Sequence, residues 1–241
     1  MATFYSSKDV AYVFVGDDTW QAYLNTVNIK ISVKLADTTP LGVSWPVMTD
    51  TGLRSGEFTC AGFYDGDKTI MNTISDTDKV VAVLLEGNTV SKRFYGFRAA
   101  TVSAVEIGLS SDNVHTSTPE LSVRGAVDFG YVVAPSAART TAGNTQATYA
   151  DMGASATGPR AYLAVTSLTL GGYTNLVVTT QSCATADGSY DDETAFAAVT
   201  EAGAQTVALS GSVNRYLAVK WAWTGAGSDP SATFFVGVAP T

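Results

Sequence analysis

The sequence predicts a mainly β protein: an N-terminal β-sandwich or barrel with one short helix, followed by a small β-sandwich domain. Three observations carry that expectation. Charged residues are only 15% of the chain while Ala, Gly, Ser, Thr and Val dominate, a bias that suits short strands and tight turns better than long solvated helices. Apolar residues recur at period 2 in several runs, and breaks containing Gly and Pro fall between them. The length of 241 residues is enough for one large core or two ordinary ones.

The first clear strand is Asn28 to Leu35, where Ile29, Ile31, Val33 and Leu35 alternate with Asn28, Lys30, Ser32 and Lys34, the pattern of a half-buried strand. Asp37 to Gly56 holds Pro40, Gly42, Pro46, Gly52 and Gly56 without a sustained period and reads as a long loop of the functional kind. Its apolar residues Leu41, Val43, Trp45, Val47, Met48 and Leu53 want a partner and are the candidate intersubunit contacts. Glu57 to Tyr64 reads as a strand. Asp65 or Asp67 is placed to cap a short helix in which Ile70, Met71 and Ile74 share a face. Lys79–Leu85, Ser91–Ala99, Thr101–Leu109 and Glu120–Val133 follow as strands, with Gly87-Asn88 a turn and Ser110–Pro119 a loop.

Around Ala134-Pro135 the composition shifts to Ala, Ser, Thr and Gly through Gly158. The expected organisation is therefore a β domain over residues 1–135, a linker or first-strand segment over 136–158, and a C-terminal β-sandwich over 159–241. In the last, Ala161–Leu168, Leu176–Ser182, Gln205–Leu209, Arg215–Trp223 and Ala232–Val238 read as strands. Gly171-Gly172, Asp187-Gly188, Gly203 and Gly225–Pro230 break them.

The chemistry-bearing residues are sparse. The formal net charge is −8, and acids outnumber bases on both sides of Pro135, which argues against a broad basic surface for gripping phosphates. The densest basic patch, Lys92-Arg93 with Arg98, reads as an ion-pair surface within or between subunits. His115 is the single histidine and sits in a polar, turn-like segment, the setting of a solvated loop side chain rather than a proton shuttle. Cys60 and Cys183 are the only cysteines; they read as free thiols, and with one histidine they do not make a zinc site. No phosphate-binding glycine motif occurs. Asp187-Gly188-Ser189-Tyr190-Asp191-Asp192-Glu193 gathers acidic oxygens in a turn but lacks the spacing of a calcium loop, and reads as a solvated hairpin. Trp221 and Trp223 share one face of a strand. They are either sandwich core or an aromatic platform for a sugar ring. No cofactor and no enzymatic activity are expected. The N-terminus lacks the pattern of a signal peptide, and no apolar run is long enough to span a membrane.

The segments Gly62-Phe63-Tyr64-Asp65, Glu86-Gly87-Asn88-Thr89-Val90-Ser91-Lys92-Arg93-Phe94-Tyr95-Gly96-Phe97 and Leu121-Ser122-Val123-Arg124-Gly125-Ala126-Val127 resemble the tail-tube (major tail) proteins of tailed bacteriophages. Tyr162-Leu163-Ala164-Val165-Thr166-Ser167-Leu168, Gly171-Gly172-Tyr173-Thr174-Asn175 and Val213-Asn214-Arg215-Tyr216-Leu217-Ala218-Val219 are similar to the C-terminal β-domain that such proteins carry. The resemblance spans most of the chain after Ala11. It implies a structural virion protein in which two orthogonal sheets and a flanking helix form the subunit. Subunits would join into rings, usually hexameric, and rings would stack into a tube through which DNA passes without specific binding. It further implies that Asp37–Gly56 and the arm Met1–Val10 bridge to neighbours. The C-terminal domain would lie outside the tube, and a terminator and a tape-measure protein are the implied partners. A carbohydrate-binding or adhesin module using Trp221 and Trp223, and a capsid decoration protein, are the alternative readings.

Overall fold

The computed structural model describes residues 12–20, 24–37, 48–63, 77–108 and 115–240. The strands in the first half are β1 (Tyr12–Val15), β2 (Asp18–Thr19), β3 (Leu24–Asp37), β4 (Met48–Phe63), β5 (Lys79–Leu84), β6 (Arg93–Gly108), β7 (Thr116–Val123) and β8 (Val127–Arg139). Then come β9 (Gly143–Asn144), a single 3-10 turn (Gln146–Thr148), β10 (Ala150–Asp151), β11 (Ala156–Thr157), β12 (Arg160–Thr169) and β13 (Asn175–Cys183). The chain ends with β14 (Asp191–Ala195), β15 (Gly203–Ala208), β16 (Ser212–Val213), β17 (Tyr216–Thr224) and β18 (Ser231–Ala239). The protein is mainly β, as its composition predicts.

Several sequence expectations change in detail. The expected loop Asp37–Gly56 is strand from Met48 onward: β4 pairs with β3 from Asp37↔Met48 through Ile31↔Gly56. Gly56 is paired in this ladder opposite Ile31, while Gly52 falls in the register shift between Val33↔Arg54 and Leu35↔Asp50, an irregularity that a glycine accommodates. Ser91–Ala99 and Thr101–Leu109 are not two strands but the single β6, continuous through the buried Ala100, Thr101 and Val102. The expected strand Glu120–Val133 is two, β7 and β8, parted where Arg124 and Gly125 both donate to the Ala99 carbonyl. β7 also takes in Thr116–Pro119, expected as loop. Pro119 has no N–H to give, and the β4–β7 register skips it, running from Thr59↔Glu120 to Gly62↔Ser117. β1 carries no alternation because Val13, Phe14 and Val15 are all buried, so its sequence shows no period. The expected helix at Ile70, Met71 and Ile74, the arm Met1–Val10, and Leu41, Val43, Trp45 and Val47 lie outside the described residues.

The chain forms two compact units. One comprises Met1–Ala22, Lys79–Arg98 and Asp128–Thr241, the other Tyr23–Asp78 and Ala99–Val127. Pro135, where the composition changes, lies inside β8.

Within the first unit the strands run in the order β15-β12-β18-β8-β6-β5-β1-β2, and this sheet curls until β15 comes against β5. Its inner face is filled by Phe14, Ala82, Leu84, Phe94, Val132, Tyr162, Ala164, Phe235 and Ala239. The rings meet in preferred geometries: Phe14 stacks on Phe235 at 5.3 Å, and Phe94 stands edge-on to Tyr162 and Phe235 at 5.5 and 5.6 Å. The outer face of β8, β12 and β18 is covered by a second sheet, β10-β17-β13-β14. Val133, Leu163, Val165, Phe234 and Val236 there meet Leu176, Val178, Leu217 and Val219. β12 and β18 are thus buried on both faces, which is why Ala161 to Val165 reads as an unbroken apolar run. Gly130 allows β8 to lie this close to β18, since a Cβ there would fall 2.4 Å from the Val238 carbonyl oxygen.

The second unit pairs β3 with β4, β4 with β7, and β7 with the second half of β6. Phe58, Cys60, Val102 and Leu121 are buried on one side, Phe58 and Val102 each directly opposite Leu121. Glu57, Ser103, Glu120 and Ser122, at alternate positions, face out.

Candidate functional site

The period-2 geometry of the second unit's strands puts Asn28 and Lys30 of β3, Glu57 and Thr59 of β4, and Glu120 and Ser122 of β7 in cross-strand register, with Lys30 opposite Glu57 and Thr59 opposite Glu120. A shallow, open hollow of about 330 Å³ is lined there by Glu57, Thr59, Ser103, Glu120 and Ser122, together with Gly56, Leu121 and Val123. Lys30 reaches Glu57 at 3.5 Å, with both side chains well exposed, so this pair is screened and weak. The two carboxylates sit on a wet surface rather than across a closed cleft, the arrangement of a polar wall. Ser103 donates to the Glu120 carbonyl.

At the margin of this unit β3 pairs with β4 alone among the described strands. Ile31 on that strand is 46% exposed, and Phe63 of β4 is 51% exposed. Met48 and Leu53, two of the candidate contacts, fall in β4.

The basic cluster separates into two different environments in the first unit. Arg98 makes a bidentate pair with Asp128, Nε to Oδ2 and Nη2 to Oδ1 at 2.7 Å each, and the Tyr162 hydroxyl donates to the same carboxylate. Burial and then the hydrogen bond to Asp128 push the Tyr162 phenol up, and the hydrogen bond to Asp128 pushes the Arg98 guanidinium up. Arg93 instead lies over the rings of Phe129 and Tyr131.

The acidic run of residues 187–193 is partly absorbed into the fold. Asp192 accepts from Gln181 and pairs with Lys220, and Ser182 donates to Glu193. The hydrogen bond from Lys220, and then that from Gln181, hold the Asp192 carboxyl below the usual carboxylate range. Tyr190, at the end of the turn, is pushed up to about 12, mainly by burial. His115 is exposed just before β7. Cys60 and Cys183 are both buried and free, and burial pushes the Cys60 thiol up, the setting of an inert packing thiol.

Trp221 and Trp223 both pack against the first unit's inter-sheet core. Trp221 donates its indole N–H to the Thr141 carbonyl at 2.8 Å and stands edge-on to Phe234. Arg139 lies over both rings and donates to the carbonyls of Pro135, Ala137 and Phe234. Arg139 has no charge signature that a sequence scan would single out; its role comes from two carbonyls close by in sequence joined to the Phe234 carbonyl and the rings of Trp221 and Phe234 from far along the chain. Burial lowers its pKa to about 10, so it stays charged at neutral pH. The aromatic group around Arg93 was likewise invisible as a motif, because its members come from two strands.

No family model matches the sequence, and no curated protein matches it. Similar solved structures include a chain of the virion of a native gene transfer agent particle, with 16% identity, TM-score 0.42, and coverage of 52% of this chain and 97% of that one. A chain from the tail of an empty gene transfer agent particle with C6 symmetry gives 13% identity, TM-score 0.41, and coverage of 53% and 98%. The Dit protein of phage SPP1, described as a paradigm of hub adsorption apparatus in phages infecting Gram-positive hosts, gives 14% identity, TM-score 0.39, and coverage of 95% and 98%.

Proposed function

We propose that this chain is a structural subunit of a phage-type tail that self-assembles into rings, which stack into a tube and conduit for DNA. The observation that carries the reading is the 14-residue β3, which pairs with β4 alone among the described strands and exposes Ile31. A long edge of that kind, with an apolar side chain in water, invites pairing with another chain, and closing sheets around a ring removes it. The resemblance in sequence to tail-tube proteins supports the same reading and supplies the hexameric ring as the expected order.

The outward row of Asn28, Glu57, Thr59, Glu120 and Ser122, in which the one cation among the described side chains, Lys30, is paired with Glu57, suits a wall that DNA slides past. Carboxylates and hydroxyls do not release counterions from phosphate, so they give the polymer little to adhere to. The contact between one subunit's β3 edge and a different edge of its neighbour is heterologous and so closes into a ring or propagates. Ring-to-ring contact through Leu41, Val43, Trp45, Val47, Met48 and Leu53, and capping by terminator and tape-measure proteins, belong to this reading. The sugar-platform alternative gains no support from Trp221, whose indole is tied to Thr141 and covered by Arg139.

Negative-stain electron microscopy across a concentration series, with mass in solution, tests the proposal. Stacked rings with a central channel are expected. A discrete small particle that never stacks when concentrated overturns it and favours a decoration protein.

A further inference from the structure

The face of β8 that carries the inter-sheet core runs on past its cover. Val133 is buried in that core, Tyr131 packs at its margin, and Phe129 beyond it is 41% exposed. From β6, Tyr95 lies against Phe129 with ring centroids 5.0 Å apart. Arg93 lays its guanidinium over Phe129 and Tyr131, 4.9 and 4.6 Å from their centroids. A guanidinium held on two rings has already lost much of its rotamer freedom, so a carboxylate meeting its planar fork costs little further ordering. Ion pairs among the described residues engage Lys30, Lys79, Arg98, Arg124, Arg215 and Lys220. Arg93 is in none of them.

The complementary chemistry lies elsewhere on the same chain. Asp187, in the turn after β13, and Asp191, which opens β14, are exposed and take no part in those ion pairs, whereas Asp192 and Glu193 are bonded internally. β14 pairs only with β13 among the described strands, so this acidic hairpin stands at a sheet margin. Copies with a net charge of −8 repel at long range, and association then depends on local cations that meet local acids.

We propose that the Arg93, Tyr95, Phe129 and Tyr131 surface is an interface between copies of this chain, receiving the acidic β13–β14 hairpin of a second copy through Asp187 and Asp191. The inference rests on the self-assembly reading above and names one of its contacts. The two surfaces differ, so the contact is head-to-tail, the type that builds rings or filaments.

The test compares the full-length chain with Arg93→Glu, with Asp187→Lys/Asp191→Lys, and with all three substitutions together. Sedimentation velocity and negative stain are read across concentration, with circular dichroism as the check of folding. Each single-sided variant is expected to raise the concentration at which assembly begins about tenfold or more, and the combined charge swap to restore most of it. Single-sided variants that assemble at the wild-type concentration overturn the proposal, whether another partner or none covers the patch. Should Arg93→Glu fold poorly, the aspartate variant, altered only at exposed positions, decides alone. A wild-type chain that stays monomeric at every concentration overturns the self-assembly reading and this contact with it. Wild-type assembly with indifferent variants overturns the contact alone.

Discussion

Asp128 illustrates what one buried acid does in this fold. Its side chain is 8% exposed and accepts from Arg98 twice and from Tyr162 once. Replacing it by alanine leaves the buried Tyr162 phenol and the partly exposed Arg98 guanidinium without their acceptor, so Asp128→Ala is expected to cost about 2 kcal/mol or more. Tyr162→Phe leaves the bidentate pair intact and is expected to cost about 1 kcal/mol; urea denaturation of both variants checks the ordering. A second acid behaves differently. The Arg215 guanidinium, bonded to Asp151 through two 2.6 Å contacts, holds the Asp151 carboxyl below the usual carboxylate range. A depressed folded value means the pair contributes fully above the unfolded carboxylate value, about pH 4, and loses its contribution as pH falls through the lower folded value. Asp151→Asn is therefore expected to flatten the loss of stability on acidification below about pH 4. The pair is partly exposed, so the effect is small and shrinks in salt. Thermal melts at stepped pH measure it.

At the scale of elements, the edge strand β3 carries the functional argument, and its own sequence states half of it. The alternation from Asn28 to Leu35 correctly marks a strand, but the buried face it predicts is not found where the side chains are described, since Ile29 is only half-buried and Ile31 is open to water in the single chain. Ile31→Lys is expected to change the stability of the monomer by no more than about 0.5 kcal/mol, because surface substitutions away from packed features do little. It is expected to weaken assembly strongly, since a lysine on an edge blocks sheet continuation. Comparing denaturation midpoints with the concentration dependence of mass separates these two effects. β7 shows where local reading misled: Pro119 and the polar residues before it look like a loop, and only the neighbours β4 and β6 on either side make a strand of them. Turns were better legible. Gly171, at φ 59° and with the Ser228 carbonyl where a Cβ would stand, is the left-handed position that the Gly171-Gly172 pair suggested.

At the scale of the molecule, β18 ties the C-terminal strands to β8 through Val236↔Ala134, Gly237↔Val132 and Val238↔Tyr131. A fragment of residues 136–241 would keep β12 and β18 but lose Phe14, Ala82, Leu84, Phe94 and Val132 from the curled sheet's interior. Tyr162, Ala164 and Phe235 would then face water. Such a fragment is expected to bind a hydrophobic dye and to melt without the cooperativity of the full chain. A fragment with a sharp transition and no dye binding would show instead that the segment after Pro135 folds on its own.

The sequence by itself determined the β class, the main strands of the C-terminal part and the hairpin character of the acidic run, because alternation and turn chemistry are local and repeat over a few residues. It did not determine that Arg98, Asp128 and Tyr162 meet, with the acid 30 and 34 residues from its two partners along the chain. Nor did it reveal that β1 and β5 belong with β12 and β18 around one interior. Strand pairing joins residues with no fixed spacing, and a strand buried on both faces carries no period to announce its neighbours. The tertiary structure therefore decided which charges are paired inside the fold and which, like Arg93, lie over aromatic rings instead.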